Sequence, residues 1–175
     1  MSISPYIRQL RDAVGSARLL LPSVSALIYD GAGGLLLVRQ ADGGGWSTPG
    51  GSMEPDETPA DAVVREAWEE TGLRVEPRRV FGVYAGPGFI VRYPNGDESQ
   101  YVMIAFECDV RGGALQADGE ETMEVRYWRE DEAAALPLTP WLREMLSTFY
   151  TRPETADFAP ARWQPPAKPL DFQHR

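Results

Sequence analysis

The chain has 175 residues, 43% hydrophobic and 25% charged, which suits one globular domain with terminal extensions and excludes a disordered chain. A formal net charge of −9 opposes phosphate backbones, so bulk nucleic acid is not an expected partner. A small phosphorylated substrate stays open, because a divalent cation can invert the sign locally.

Residues 5–14 place Ile7, Leu10, Arg11 and Val14 at helical spacing and stop at Gly15, which predicts a short helix. Arg8, Arg11 and Asp12 interrupt any signal-peptide pattern, and no apolar run approaches the ~18 residues of a membrane span. A cytoplasmic protein without membrane association is therefore expected. Residues 19–29 and 35–39 read as strands around a glycine-rich turn at 30–34, a predicted hairpin. A glycine-rich loop over 41–45 and a brief extended piece from Trp46 to Pro49 lead to Gly50 and Gly51.

A helix over 59–71 follows, then a strand over 75–85 rich in Val, Phe and Tyr. Residues 89–93 and 100–110 flank Pro94-Asn95-Gly96-Asp97 and predict a second hairpin. The one cysteine, Cys108, has no disulfide partner and reads as a small core residue. An acidic loop over 118–121 precedes a strand over 123–128, and helices are expected over 130–135 and from 140 to about 150.

Residues 151–175 hold five prolines (Pro153, Pro160, Pro165, Pro166 and Pro169) and no helical period, which predicts an extended tail. Its aromatics Phe158, Trp163 and Phe172 suggest that part of it docks, on the body or on a second subunit. A homodimer involving the terminal extensions is one arrangement this allows. The expected organisation is a helical extension over 1–18, a domain over 19–150 and a tail over 151–175. The one histidine, His174, lies near the end and reads as an exposed bystander, which argues against Ser-His-Asp or Cys-His chemistry.

The helix over 59–71 is well specified. Thr58 suits the N-cap, Pro59 the first helical position, Asp61 a capping-box acid and Gly72 a left-handed end. At 3.6 residues per turn, Ala60, Val63, Val64, Ala67, Trp68 and Thr71 share one face. Glu66, Glu69 and Glu70 fall on the other, with Arg65 at i,i+4 from Glu69. Clustered carboxylates repel by a few tenths of a kcal/mol per i,i+4 pair, and Arg65 offsets only part of that. Two readings stand at this point: a solvated acidic face, or an oxygen-rich set for a hard cation such as Mg²⁺ or Mn²⁺.

The wider spacing bears on that choice. Gly51, five residues, Glu57, seven residues and then Arg65-Glu66-Ala67-Trp68-Glu69-Glu70-Thr71-Gly72-Leu73 resembles the Nudix box, G-x5-E-x7-R-E-U-x-E-E-x-G-U, where U is bulky aliphatic. All seven fixed letters are present, and the one departure is Ala67 at the first U position. Residues 23–143 resemble a whole Nudix domain. The resemblance implies an α/β fold, an α/β/α sandwich around a mixed β-sheet. It also implies a pyrophosphate hydrolase acting on a small nucleotide, a nucleoside diphosphate linked to another group.

In that resemblance Glu69 and Glu70 coordinate Mg²⁺ or Mn²⁺, Glu66 is a further ligand or a base, and the Gly50 carbonyl completes the metal set. Arg65 and Glu57 form a salt-bridged pair that orients the carboxylates. Glu120 or Glu121 in the acidic loop matches a base outside the box, with Glu121 favoured; either residue also suits a solvated turn. Trp46, Tyr84, Phe89 and Tyr101 are candidate stacking platforms for the substrate base, although each also suits a core or strand position. The resemblance also implies a proline about fifteen residues past the box in ADP-ribose-type members; Pro87 lies near that place, in a Gly86-Pro87-Gly88 turn that suits proline in any case, and tilts the expected substrate slightly toward ADP-ribose or another nucleotide sugar. The competing expectations are a (d)NTP pyrophosphohydrolase and a Nudix-fold ligand-binding module without catalysis. An isomerase on the same fold would want a pocket cysteine, for which Cys108 is a poor candidate.

Overall fold

The structure is a computed structural model and describes residues 4–164 apart from 42, 44 and 94. The expectations for Pro165, Pro166, Pro169, Phe172, His174 and Pro94 lie outside the described residues. In chain order the elements are α1 (Pro5–Val14), β1 (Leu19–Ile28), β2 (Leu35–Gln40), β3 (Trp46–Ser47), α2 (Pro59–Thr71) and β4 (Leu73–Tyr84). A 3-10 turn (Pro87–Phe89) leads to β5 (Ile90–Arg92), β6 (Glu98–Gly113), β7 (Thr122–Trp128), α3 (Glu130–Ala134), α4 (Pro140–Thr151) and β8 (Asp157–Phe158).

Two apolar runs divide the interior. Side chains alternate along a strand, and β1 sends Val24, Ala26 and Ile28 into one core and Leu27 into the other. On β2, Leu36 enters the first core, while Leu35 and Leu37 enter the second. Strands buried on both faces read as continuous apolar runs. Val63 and Ala67 of α2 close the first core against Val75 and Phe106. Leu142, Leu146 and Phe149 of α4 close the second against Phe81, Tyr84 and Met103. Cys108 is buried in the first core.

The hairpin predicted from β1 and β2 is corrected. The turn is there: the Asp30 carboxylate accepts from the Ala32 amide at 2.9 Å and the Gly34 amide at 2.7 Å. Only an isolated bridge, Tyr29 to Leu35, joins the strands, which then diverge into different sheets. The physical reason is burial. A strand that is apolar on both faces needs cover on both, and a two-stranded hairpin cannot supply it.

β1 instead lies parallel to β6 along its whole length, from Leu19 beside Ser99 to Ile28 beside Cys108. The larger sheet runs β1-β6-β4-β8 with β5 also on β6, and its mixture of parallel and antiparallel pairs matches the expected mixed sheet. The smaller one is antiparallel, in the order β3-β2-β7. β5 and β6 pair antiparallel, Ile90 with Gln100, as the second predicted hairpin requires.

The tail begins over the body. β8 pairs parallel with β4, and the Arg79 guanidinium donates to the Pro153 carbonyl at 2.9 Å. Phe158 and Trp163 stay exposed. Among the described residues no helix is long and apolar enough to cross a membrane.

Candidate active site

The ends of α2 follow from their residues. The Thr58 hydroxyl accepts from the Asp61 amide at 3.2 Å and donates to the Asp61 carboxylate at 2.6 Å, and Pro59 opens the helix. Gly72 ends it in the left-handed region (φ 67), with its amide on the Trp68 carbonyl. A side chain there would also meet the Ala114 carbonyl oxygen at 2.6 Å, so glycine is required twice over.

The predicted faces of α2 need correction. Ala62, Val63, Ala67, Glu70 and Thr71 are buried, while Ala60 and Trp68 are exposed, Trp68 to 51%. Helical periodicity counts apolar residues, and Trp68 carried the expected face toward solvent. Glu70 turns inward because the loop at Gly50 and Gly51 covers it. The Gly50 amide donates to the Glu70 carboxylate at 2.8 Å. A Cβ on Gly51 would stand 2.6 Å from the Glu66 carboxylate, so the bare backbone makes room for that acid.

Arg65 organises the remaining carboxylates. Its Nε donates to Glu57 at 2.6 Å and its Nη2 to the other Glu57 oxygen at 2.9 Å, a two-pronged pair. Nη1 donates to Glu66 at 2.8 Å and to Glu69 at 3.0 Å, and Nη2 reaches the Ser52 carbonyl at 3.1 Å. The hydrogen bond from Arg65 holds the Glu57 carboxyl below its ordinary value, and Glu57 in turn holds the guanidinium charged. Burial pushes the Glu66 carboxyl up to about 6, with Arg65 opposing. Burial pushes Glu70 further, to about 8, against the hydrogen bond from Gly50. No salt bridge among the described residues reaches Glu70.

These groups line one cleft of about 620 Å³. Gly50, Arg65, Glu66, Glu69 and Glu70 all face it, and so does Glu121 from the loop before β7. The charge of Glu121 acts on both Glu66 and Glu70. Glu57 stands behind, reaching the cleft through Arg65. Glu120 is exposed and outside the lining.

Sequence reasoning missed how Glu121 is held. The Asp118 carboxylate accepts from the amides of Glu120 at 2.7 Å, Glu121 at 2.9 Å and Thr122 at 2.9 Å, which fixes the turn. An aspartate two to four residues before those amides was the available signal.

Of the four aromatic platforms, only Tyr101 lines the cleft, with its hydroxyl 2.8 Å from that of Tyr93. Trp46, Tyr84 and Phe89 are corrected to core positions. Trp46 packs edge-on against Trp128, while Tyr84 stacks with Phe89 and meets Phe149. Their ring area is spent on packing because β3, β4 and the 3-10 turn border the α4 core. Missing from the expectations altogether were Ser4, Ile7 and Arg11, by which α1 forms part of the cleft wall.

The donor set fits a divalent cation in its chemistry. Glu66, Glu69, Glu70 and the Gly50 backbone supply hard oxygen atoms, and among the described residues the buried Glu70 carboxylate forms no salt bridge. Among the described residues no three acidic side chains form a ready cation-holding group, and Arg65 Nη1 bridges Glu66 and Glu69.

The NUDIX domain family model matches residues 19–149. The chain is 38% identical over 129 residues to a MutT-like protein from Streptomyces ambofaciens, across 74% of this chain and 76% of that protein. Over 97 residues it is 37% identical to an ADP-ribose pyrophosphatase from Methanocaldococcus jannaschii, across 54% of this chain and 53% of that protein. Among solved structures it resembles an ADP-ribose pyrophosphatase from Streptococcus suis, with a TM-score of 0.63 and 28% identity over 78% of this chain and 96% of that one. Nudix hydrolases generally use divalent metal ions. With the segment from Gly51 to Leu73 folded into one acid-lined cleft and the matched region spanning both cores, the chain belongs to the Nudix family of pyrophosphohydrolases.

Proposed function

We propose that this chain is a hydrolase dependent on Mg²⁺ or Mn²⁺ that cleaves the pyrophosphate of a nucleoside diphosphate derivative, ADP-ribose or another nucleotide sugar. One observation carries the reading. Gly50, Arg65, Glu66, Glu69, Glu70 and Glu121 meet in a cleft of about 620 Å³, within the roughly 300–1,000 Å³ range of small-molecule sites. The names of the relatives from Methanocaldococcus jannaschii and Streptococcus suis support the substrate class. The single, buried Cys108 suits a cytoplasmic protein.

In this reading Glu69, Glu70 and Glu66, with the Gly50 carbonyl, hold the cation. Bound there, a divalent ion neutralises the pyrophosphate and lowers the pKa of a water molecule. Arg65 fixes the directions of Glu66 and Glu69, and Glu57 fixes Arg65. The Glu121 carboxylate takes the proton from the attacking water, held at the cleft by the Asp118 turn. Glu66, which lines the same cleft, is the alternative acceptor for that proton if it does not ligate the cation.

The test is a panel of ADP-ribose, nucleotide sugars, dinucleoside polyphosphates, CDP-alcohols and (d)NTPs, each with Mg²⁺ or Mn²⁺, on wild type, Glu69→Gln and Glu70→Gln. Turnover of a nucleoside diphosphate derivative is expected, with each variant at least ~10²-fold slower. Preferential turnover of (d)NTPs would overturn the substrate class, and wild-type rates in both variants would overturn the site.

A further inference from the structure

The cleft extends beyond α2. Its lining continues over Tyr101, Asn95 and Tyr93 of the β5–β6 hairpin to Ser4 and Ile7 of α1. α1 precedes the matched family segment, residues 19–149, so its part of the wall lies outside the family model, while Tyr93, Asn95 and Tyr101 lie inside it.

Arg11 ties the wall together. Its Nη1 donates to the carbonyls of Gly15 at 3.2 Å and Ala17 at 2.7 Å. Its Nη2 donates to the Glu98 carbonyl at 2.7 Å and the Ser99 hydroxyl at 3.1 Å. Its Nε forms an ion pair with the Asp97 carboxylate at 3.6 Å, beyond hydrogen-bond range, so both Nη groups are committed to the protein and the charge is paired. Arg65, the other cation of the lining, is committed to Glu57, Glu66, Glu69 and Ser52.

Among the described residues, then, both cations of the lining are already paired with carboxylates, Arg65 with Glu57, Glu66 and Glu69 and Arg11 with Asp97. The rest of the hairpin end is neutral: two tyrosine hydroxyls 2.8 Å apart, the Asn95 amide and the apolar side chain of Ile7. An anionic group placed there would lose water and gain no cation that is not already paired with a carboxylate. A hydroxyl-rich group would exchange water for tyrosine hydroxyls at little cost.

We propose that α1 and the β5–β6 hairpin form a subsite for the uncharged group beyond the pyrophosphate, a ribosyl or glycosyl residue, and select against substrates anionic at that end. The proposal rests on the reading of the chain as a hydrolase of nucleoside diphosphate derivatives. Arg11 is the positioning residue, and Tyr101 and Ile7 face the bound group.

The experiment compares matched pairs: ADP-ribose against ADP-ribose esterified with phosphate on the distal ribose, and UDP-glucose against UDP-glucuronate. Both pairs are assayed with Mg²⁺ and with Mn²⁺ on wild type, Tyr101→Phe and Ile7→Lys. Wild type is expected to prefer the neutral member by ~10-fold or more in kcat/KM, chiefly through KM. Ile7→Lys supplies the missing cation and should move that ratio about tenfold toward the anionic member. Because the ratio is internal to one preparation, loss of folded protein cannot produce the shift. Tyr101→Phe should raise KM for the neutral member more than it lowers kcat. Equal kcat/KM within each pair, or a ratio unmoved by Ile7→Lys, overturns the subsite and leaves the hydrolase reading standing. Turnover of none of these compounds overturns both.

Discussion

Replacing Arg65 by lysine keeps the charge and removes the fork. The guanidinium makes two hydrogen bonds to Glu57 and one each to Glu66, Glu69 and the Ser52 carbonyl, all between 2.6 and 3.1 Å. An ammonium group has three donors and no planar geometry, so it cannot hold both Glu57 oxygens and reach Glu66 and Glu69 together. Hydrogen bonds to charged groups contribute roughly 1.5–3 kcal/mol each when shielded. Shielding here is partial: the side chains of Arg65, Glu57 and Glu66 are 28%, 19% and 13% exposed, and that of Glu69 is 55% exposed. The Glu69 bond therefore counts for little, ~0.3–0.5 kcal/mol. Losing one arm to Glu57 and weakening Glu66 gives a net destabilisation of about 2 kcal/mol. For a chain of this length that corresponds to a fall in Tm of roughly 4–8 °C. Because the loosened acids are the proposed cation ligands, kcat should fall about 10- to 100-fold as well. Urea unfolding with EDTA at pH 7, beside hydrolysis rates at saturating Mg²⁺, measures both. A variant within ~0.5 kcal/mol and twofold of wild type would refute the claim that the fork organises the site.

The Glu70 carboxyl is raised from 4.5 to about 8 by burial, so its contribution is fully present below pH 4.5 and lost as pH rises through 8. Metal-free wild type should therefore lose stability between about pH 4.5 and 8, and Glu70→Gln should flatten that slope in thermal melts with EDTA. An identical slope in the variant would assign the pH dependence to other groups. Asp118→Ala frees the three amides that hold the Glu121 turn and should lower kcat ~10-fold, whereas Asp118→Asn keeps the acceptor and most of the rate. Equal losses in both would mean that the carboxylate charge matters and the turn does not. Phe149 is fully buried against Phe81 and Tyr84, so Phe149→Ala should cost ~3–5 kcal/mol by urea unfolding, and a cost under ~1 kcal/mol would contradict the α4 core.

Much of the catalytic wall was legible in sequence because its signals are local. Thr58, Pro59 and Gly72 mark the ends of α2 within one segment, and the spacing from Gly51 to Glu57 and Arg65 carries the salt bridge. The inward turn of Glu70 was not legible, because it depends on the loop at Gly50 folding over the helix. Which of the four aromatics belong to the core was not legible for a related reason. Ring content marks a buried surface, and only the packing of α4 shows which one. The hairpin expected from β1 and β2 failed because turn residues specify a reversal and leave open which strands then pair. The wall formed by α1 had no local signal at all, since the Arg11 contact to the Glu98 carbonyl spans 87 residues of sequence.

The account turns on Glu70 and its neighbours holding a cation in this cleft. Titrating Mn²⁺ into metal-free wild type and Glu70→Gln, with binding read by electron paramagnetic resonance, addresses that directly. Wild type should bind Mn²⁺ at least ~10-fold more tightly than the variant, with hydrolysis rising along the same titration. Equal Mn²⁺ affinity in the two proteins, or hydrolysis that ignores the metal, would contradict it.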